Sequence, residues 1–341
     1  MEHRKTILAV DGGGVRGLVP LIILRALEEK LRARGKREPL HRYFDLIVGT
    51  STGGVVAAGL TAPAPGGGPA MDAAALVELY QKRSRAIFSR PPLRNVFESI
   101  SNFDFSRLSQ EKYDHKALER ILRDALDEAP VSAALADVLI TAYDIENHRT
   151  VYLRGGPKIN ALPGVAGDFL MREAVRATTA APTFFEPASV RNLTTGEQLT
   201  LVDGAVFANQ PTLTALAQGS ELGWDLRETK VLSLGTGFVQ RSYSLRQARS
   251  WGPLAWISPR NGSPILAIMA HGQVDNANWN ASQLVGPDCV TRIDVELERG
   301  SGTEKINDAS KRNIRRLTEI AEALAAEHDA KLEMWADRLG A

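Results

Sequence analysis

The sequence predicts an α/β fold around a largely parallel sheet, and two observations support this prediction. Short apolar runs bounded by turn residues recur along the chain, such as TILAV (6–10), YFDLIVG (43–49) and KVLSLGTG (230–237). Runs of this kind are typical of buried strands. Longer segments with apolar residues at helical spacing lie between them. Alternation of strands and helices favours a parallel sheet with helices packed on its faces.

The first half of the chain alternates between strand and helix. The strand at 6–10 leads through three glycines into a helix predicted over 18–34, where leucines recur every third or fourth position. The strand at 43–49 leads into a small, apolar segment suited to a closely packed helix. An exposed loop, APAPGGGPA, follows at 62–70. Two more helices are predicted, over 72–90 and 112–127.

The second half continues the same pattern as far as residue 240. A strand is predicted over 137–144, with 150–153 as its hairpin partner. A helix over 168–180 precedes strands over 197–204 and 230–237.

The last hundred residues are less regular. Residues 240–290 are rich in Trp, Pro and Asn and are predicted to be irregular, whereas the segment from Ile306 to Leu339 is predicted to form one or two amphipathic helices. We expect the whole chain, 1–341, to fold as one domain.

Composition limits the function classes. The chain has 341 residues, of which 44% are hydrophobic and 24% charged, and its net charge is +1. A charge so close to zero gives no reason to expect a nucleic-acid polymer as partner. Cys289 is the only cysteine, so a disulfide within the chain is excluded.

The apolar run near the N-terminus is too short for a signal peptide. No stretch approaches the roughly 20 apolar residues of a membrane span. We therefore expect a cytoplasmic protein, with peripheral membrane contact or secretion by another route left open.

A glycine-rich loop, AVDGGGVRGL, occupies residues 9–18 between the first strand and the first helix. Its backbone N–H groups are uncrowded, and the positive end of the following helix points toward them. Such a loop can bind a phosphate, a dinucleotide or the oxyanion of an ester under attack.

A candidate nucleophile lies at the end of the second strand. GTSTG (49–53) matches the pattern G-x-S-x-G, with a strand before it and a helix after it. This context is typical of a nucleophile elbow, in which the serine occupies a strained turn. Gly49 and Gly53 come close to each other in such a turn, so side chains there would clash. Ser51 is therefore the candidate nucleophile.

A serine nucleophile needs a base. None of the six histidines has surroundings in the sequence that mark it as one. Asp203, in VDGAVFANQP (202–211), ends an apolar strand. A partly desolvated carboxylate there could take the serine proton directly. The alternative is that this Asp-Gly pair only forms a turn.

These motifs together resemble one family. DGGGVRG near the N-terminus, GTSTGG about 35 residues later and DGA far downstream occur in the order found in patatin-like phospholipases. AVRATTAAPTFFEP, DGAVFANQP and VLSLGTG resemble the segments around the family's aspartate. The resemblance covers roughly residues 5–240, with a weaker match through WGPLAWI and HGQVDNANW.

The resemblance implies a three-layer α/β/α fold and a Ser-Asp dyad. Ser51 is then the nucleophile and Asp203 its base. The glycine loop supplies the oxyanion hole, with Gly13 and Gly14 rather than Gly12 as the preferred donors. Arg16 matches the basic residue after the glycines and is expected to support the loop or to contact substrate phosphate. A solvated charge at the start of a helix is the alternative for Arg16.

The resemblance also implies the reaction. Acyl esters of phospholipids or other lipids would be hydrolysed through an acyl-serine intermediate, releasing fatty acid at a membrane or micelle surface. No metal and no cofactor is implied. A regulatory small molecule, an oligomeric state and the head-group preference are left open by the sequence.

Three classes of alternative are left open: a hydrolase with a catalytic triad, a nucleotide-binding enzyme of either of two kinds, and a protein without catalysis. Ser51, Asp203 and His271 occur in the chain order of an α/β-hydrolase triad, in which His271 would be the base. GGGVRG also satisfies G-x-G-x-x-G, with Glu38 at about the distance of the acidic residue in a dinucleotide site. AVDGGG is also similar to the first phosphate loop of actin-like sugar kinases, where Asp11 would lie near a metal. The third alternative is a storage or effector protein whose site is idle.

Two stretches could contact a membrane. SWGPLAWISP (250–259) carries two tryptophans, which favour the headgroup boundary. The C-terminal stretch carries an apolar helical face, which could bind a membrane or a second subunit. Packing within the chain's own core is the alternative for both stretches.

Overall fold

The computed structural model describes residues 4–87, 115–165, 167–258 and 263–341. The described strands are β1 (Thr6–Val10), β2 (Leu46–Gly49), β3 (Asp137–Asp144), β4 (Arg149–Gly155), β5 (Ala188–Arg191), β6 (Gln198–Asp203), β7 (Lys230–Leu234) and β8 (Val290–Ile293). The described α-helices are α1 (Leu18–Ala33), α2 (Thr52–Thr61), α3 (Ala73–Ile87), α4 (His115–Leu126), α5 (Met171–Thr178), α6 (Ala205–Ala208), α7 (Thr212–Glu221), α8 (Leu245–Arg249), α9 (Pro253–Ile257), α10 (Pro264–Val285), α11 (Lys311–Glu327) and α12 (Asp329–Gly340).

All eight strands belong to one sheet, in the order β5-β6-β3-β2-β1-β7-β8, with β4 paired to β3 outside this path. The strands from β3 through β2, β1 and β7 to β8 run parallel. The pairings of β4, β5 and β6 are antiparallel. The predicted parallel sheet is therefore confirmed as the central part of a mixed sheet.

Helices cover both faces of the sheet, as a three-layer fold requires. Neighbouring residues of a strand point to opposite faces, and β1 shows the division. Leu8 and Val10 pack with α1, α2, α3, α11 and α12, whereas Ile7 and Ala9 pack with α7 and α10. The α/β/α expectation is therefore confirmed.

Two strands, β2 and β6, pair with the same edge of β3, and this arrangement positions the candidate site. The strand β4 pairs with β3 along 138–144, so it occupies one edge over nearly the full length. Both β2 and β6 must lie on the other edge, where β2 pairs with 137–140 and β6 with 142–144. The ends of β2 and β6 therefore face each other.

Most predicted elements are confirmed, with small shifts at their ends. The strand predicted over 43–49 begins at Leu46, because Leu40–Arg42 forms a 3₁₀ turn and the chain extends only after it. The hairpin of β3 and β4 is present as predicted. The ends of two predicted helices, at 88–90 and 112–114, lie outside the described residues.

The region 240–290, predicted to be irregular, contains a long helix, so this prediction was wrong. The helix α10 spans 22 residues. It has a single charged residue, Asp275, so its sequence lacks the charged face by which surface helices are identified.

The C-terminal segment forms two helices, which pack on α1. Trp335 of α12 is fully buried. Lys30 of α1 contacts Asp329 and Glu333, and Arg34 contacts Asp337, with a Nζ–Oε1 distance of 2.6 Å for Lys30 and Glu333. These helices are therefore part of the core. Among the described residues, no helix has both the length and the apolar composition needed to cross a bilayer.

Candidate active site

Ser51 lies in a strained turn between β2 and α2, as the G-x-S-x-G pattern predicts. Its φ is 55° and its ψ is −120°, a conformation that non-glycine residues seldom adopt. The flanking glycines make the turn possible. A Cβ on Gly49 would lie 2.0 Å from the carbonyl oxygen of Gly53, and a Cβ on Gly53 would lie 2.1 Å from the carbonyl oxygen of Val10. Strain of this kind is typical of functional positions.

The serine backbone is held by a residue that the sequence did not mark. The N–H of Ser51 donates to Oγ1 of Thr178 at 2.8 Å, in a buried contact with the end of α5. On the following residue, the Thr52 hydroxyl is hydrogen-bonded to the Tyr80 hydroxyl. Because these partners come from two different helices, the turn is fixed from both sides.

Asp203 is the last residue of β6 and lies beside the serine. Its side chain is 1% exposed. The N–H of Ala205 donates to its Oδ1 at 2.8 Å, and the Ser51 side chain is close enough to the same carboxyl to lower its pKa. Burial raises the pKa of Asp203 to about 7, although the Ala205 N–H and the Ser51 side chain act in the opposite direction. A carboxylate with this pKa can exchange protons with a neighbour near neutral pH.

The glycine loop passes directly over the serine. A Cβ on Gly12 would lie 3.1 Å from the Cβ of Ser51 and 2.5 Å from Oδ1 of Asn209. The Gly12 N–H donates to the Asn209 carbonyl at 3.0 Å, and the Thr236 hydroxyl donates to the Gly12 carbonyl at 2.7 Å. Because the Gly12 amide already has an acceptor, it is a poor candidate for an oxyanion donor.

Gly13 and Gly14 differ from Gly12 in this respect. Within the described ranges, neither of their N–H groups has a hydrogen-bond acceptor. Gly14 has a φ of 59°, and a Cβ there would lie 2.2 Å from the carbonyl oxygen of Ile306. The next amide, that of Val15, donates to this carbonyl at 2.8 Å. The loop is therefore shaped by contacts with the C-terminal part of the chain and leaves two donors unused.

Asp11, at the start of the loop, is bound by an arginine that sequence reasoning missed. Nη1 of Arg292 donates to Oδ1 of Asp11 at 2.9 Å, and Nη2 donates to Oδ2 at 2.6 Å. Nη2 also donates to Oδ2 of Asp294 at 2.6 Å. Burial raises the pKa of Asp11 to about 6, although Arg292 acts to lower it. Both oxygens of Asp11 are taken by one guanidinium, which disfavours the interpretation of Asp11 as a residue near a metal.

Arg16 does not support the loop as Arg292 does. Its Nε is buried and has no hydrogen-bond partner in the part of the chain that the structure describes. Burial lowers its pKa to about 10, against the opposing effects of Asp294, Asp11 and Glu304. Its side chain lines a cavity beside the loop.

Within the described residues, His271 is hydrogen-bonded to neither the serine nor its aspartate. It is exposed on α10, and its ring contacts that of Phe238 at a centroid distance of 6.5 Å. The partners of Asp203 are the Ala205 amide and the Ser51 side chain. The geometry therefore favours direct contact between serine and aspartate over a relay through His271.

The cavity beside the loop has a volume of about 1010 Å³. Its lining includes the polar residues Arg16, Asp11 and Asn209 and the apolar residues Phe238 and Leu266. Ser51 does not line the cavity. The carbonyl of Asn209 accepts a hydrogen bond from the Gly12 N–H, so the cavity adjoins the glycine loop. A cavity lined by both polar and apolar residues suits an amphipathic ligand.

Metal ligation has no obvious place in this arrangement. Across the described ranges, no group of three or more His, Cys, Asp or Glu residues is arranged to hold a metal ion.

Comparison with known proteins agrees with the motifs. A sequence model of the patatin-like phospholipase family matches residues 8–216. Patatin-like protein 1 of Arabidopsis thaliana is 33% identical over 94% of this chain and 81% of its own length. Patatin-like protein 2 of Oryza sativa subsp. indica is 31% identical over 96% of this chain and 85% of its own length. Patatin-04/09 of Solanum tuberosum is 30% identical over 95% of this chain and 84% of its own length. The match spans the serine turn, the glycine loop and Asp203, and the chain belongs to the patatin-like phospholipase family.

Proposed function

We propose that the protein hydrolyses acyl ester bonds of phospholipids and related lipids with a Ser51-Asp203 dyad. Family membership supports lipid acyl hydrolase activity. The observation that carries the dyad is the buried Asp203 carboxyl beside the Ser51 side chain, with its pKa raised to about 7 by burial. No histidine is needed to carry the proton between these two groups.

In the acylation step, Asp203 acts as general base. It takes the proton from the Ser51 hydroxyl as Oγ attacks the ester carbonyl carbon. The tetrahedral intermediate then collapses, the bond to the alcohol breaks, and the protonated Asp203 returns its proton to the leaving oxygen. The product is an acyl-serine at Ser51 and a free alcohol, which is the lysolipid when the substrate is a phospholipid.

In the deacylation step, water replaces the alcohol. Asp203 takes a proton from the water as it attacks the acyl-serine carbonyl, and the Ser51 oxygen leaves and is reprotonated. The fatty acid is released and the dyad returns to its starting state.

The negative charge that develops on the carbonyl oxygen in both steps needs hydrogen-bond donors. Gly13 and Gly14 carry N–H groups without an acceptor among the described residues, in the loop that covers the serine. The helix α2 begins at Thr52, so its positive end also points to this region. Removing one such donor typically costs a factor of roughly 100 to 1,000 in kcat.

Arg16 is proposed to contact the phosphate of a phospholipid. It carries a half-buried cation that lines the cavity, with a buried Nε that lacks a hydrogen-bond partner within the described residues. An arginine guanidinium has the geometry to donate two hydrogen bonds to a phosphate.

We also propose that residues 1–341 form one catalytic domain. The support is that the loop near the N-terminus contacts Arg292 and Ile306, and that α12 packs on α1.

The test measures fatty-acid release from mixed phospholipid vesicles and hydrolysis of a soluble p-nitrophenyl ester, both in EDTA. Wild type is compared with Ser51→Ala, Asp203→Asn and His271→Ala. We expect wild type and His271→Ala to be active and the other two to be inactive on both substrates, with unchanged circular dichroism.

Loss of activity in folded His271→Ala would replace the dyad with a triad. Activity in Asp203→Asn near the wild-type level would exclude Asp203 as base. A wild type inactive on both substrates, without and with added calcium, would contradict the proposed hydrolase activity of the isolated chain.

A further inference from the structure

We propose that the exposed apolar side chains of α8, α9 and the first half of α10 form a docking surface for bilayers that contain anionic phospholipid. This inference rests on the proposed function, because docking would bring the cavity to its lipid substrate. The surface is named the apolar rim. It consists of Leu245, Leu254, Ile257, Ile265, Leu266, Ile268 and Met269.

Exposed apolar side chains are concentrated in this part of the molecule. Of the 15 large hydrophobic side chains exposed in the described residues, 10 lie within 238–284. Leu254 is 77% exposed, Leu245 65% and Leu266 62%. Isolated exposed apolar residues are ordinary, but an extended cluster marks an interaction site.

The helix α10 reinforces this interpretation. Its first seven residues, Pro264–Ala270, are all apolar, although Leu266, Ile268 and Met269 are exposed. The short helix α9 packs against α10, and both Leu254 and Ile257 of α9 are exposed. The two helices thus present apolar side chains together, and no helix or strand in the described part of the chain covers these side chains.

An aromatic cluster lies in the same stretch of the chain as the apolar rim. Trp251 contacts Tyr243 at a ring-centroid distance of 5.2 Å and Trp256 at 5.1 Å, both edge to face. All three rings are half-buried. Trp and Tyr side chains are enriched at the headgroup boundary of membranes. The half-buried aromatic cluster is therefore of the residue types that favour a headgroup boundary.

The charge of the same segment selects the kind of bilayer. Residues 238–258 and 263–274 carry three arginines and neither Asp nor Glu, although the net charge of the chain is only +1. Arg246 and Arg249 are exposed on α8. Arginines near a membrane surface are attracted to anionic lipid. Charge complementarity thus favours an anionic bilayer as the occupant.

The apolar rim is continuous with the cavity of the candidate site. Leu266 and Ile268 are exposed and also line that cavity, together with Phe238. The cavity is also lined by Asp11 and Arg16 of the glycine loop. A lipid leaving the bilayer at the rim could therefore enter the cavity without crossing bulk water.

The test separates docking from catalysis by using Ser51→Ala as the background, since hydrolysis cannot change its vesicles. Sedimentation binding is measured with vesicles of phosphatidylcholine alone and of phosphatidylcholine mixed with phosphatidylglycerol. The variants are Leu254→Asp with Ile257→Asp, and Arg246→Gln with Arg249→Gln. Met334→Asp is the matched control, because Met334 is 40% exposed on α12, on the opposite face of the sheet.

Since each buried leucine or isoleucine contributes about one factor of ten or more, the two Asp substitutions should weaken binding roughly 100-fold on anionic vesicles. The arginine pair should weaken binding roughly 30-fold on anionic vesicles and little on phosphatidylcholine alone. The Met334→Asp control should bind like its background.

Three results would overturn the proposal. One is binding to anionic vesicles that the Leu254 and Ile257 substitutions leave unchanged. Another is the absence of vesicle binding by the folded background protein. The third is a dimer in solution that these substitutions dissociate, which would assign the apolar rim to a second copy of the chain.

The same substitutions in the Ser51 enzyme distinguish this proposal from the proposed function. Leu254→Asp with Ile257→Asp should lower fatty-acid release from vesicles and leave hydrolysis of the soluble ester unchanged. A protein that binds vesicles through the rim but hydrolyses neither substrate would support docking and contradict the proposed activity.

Discussion

Arg292 holds Asp11 by two parallel hydrogen bonds, 2.9 and 2.6 Å long, although the two residues are 281 positions apart. Asp11 begins the glycine loop, and Arg292 lies on β8. Bidentate pairs of this kind fix orientation as well as distance. The shape of the loop over Ser51 therefore depends on a strand near the other end of the chain.

Replacing Arg292 should harm both stability and activity. In Arg292→Met, the buried Asp11 loses its cation, and breaking a buried pair from one side costs roughly 3 kcal/mol. We expect a lower midpoint of urea unfolding and a kcat on the soluble ester reduced at least tenfold. The double variant Asp11→Asn with Arg292→Met should recover part of the stability. Equal stability of wild type and Arg292→Met would show that the pair does not support the loop.

The pH dependence of activity should follow Asp203. A general base must be deprotonated, so kcat/KM on the soluble ester should rise as pH increases and level off above about 7, the pKa of Asp203. The same rise of kcat/KM with pH should be present in His271→Ala and in Asp11→Asn. This result would exclude His271 and Asp11 as its source. If the rise of kcat/KM with pH disappears in His271→Ala, the proton transfer is assigned to histidine.

The same group should make the folded protein less stable as pH rises. Because burial raises the pKa of Asp203 from 3.8 to about 7, the folded state binds this proton more tightly than the unfolded state does. Its contribution to stability is therefore present at low pH and is lost between about 4 and 7. At pH 8, Asp203→Asn should have a higher Tm than wild type, and the difference should shrink toward pH 4. A constant difference across this range would show that Asp203 has an ordinary pKa.

Thr178 should act as a positioning residue for the serine. In Thr178→Val the Ser51 N–H loses its acceptor at 2.8 Å, and an unsatisfied buried donor costs about 1–3 kcal/mol. We expect kcat to fall and KM to change little, because the strained turn no longer holds Oγ in place. The conservative variant Thr178→Ser keeps the acceptor and should restore kcat. Equal kcat in Thr178→Val and wild type would exclude this role.

The glycine loop gives a matched pair of substitutions. Gly14→Ala adds a Cβ that would lie 2.2 Å from the Ile306 carbonyl oxygen, at a φ of 59°. Since an alanine is strained there and displaces the proposed donors, kcat should fall roughly 100-fold. Gly66→Ala is the control, because nothing lies within 4 Å of the added Cβ. Similar kcat values for the two variants would remove Gly14 from the proposed oxyanion hole.

The local parts of the fold could be predicted from the sequence because their signals are local. The strand 6–10 and the hairpin of β3 with β4 have apolar runs and turns within a few residues. The serine turn carries its own steric requirement in Gly49 and Gly53. The position of Asp203 at a strand end is likewise visible in LTLVDG. From these signals the order of the elements could be predicted, together with the placement of the candidate residues at one edge of the sheet.

The rest depends on contacts that no local pattern encodes. β5 and β8 are four residues each and depend on their neighbours for pairing. The helix α10 has no charged face to define its period. Arg292 looks like any other charged residue in TRID until the fold places it against Asp11. The Gly12 amide, included in the predicted oxyanion loop, proves to be occupied by Asn209 only when the chain is folded.

The contacts of Asp11 with Arg292, and of Val15 with Ile306, have a consequence for the order of synthesis. A ribosome releases the serine turn, the glycine loop and Asp203 long before it reaches residue 292. The emerging chain then holds every motif of the proposed site without the strand and carbonyl that shape the loop. Fatty-acid release should therefore begin only after the last third of the chain has emerged. This delay would keep an unfinished lipase from attacking the lipids around it.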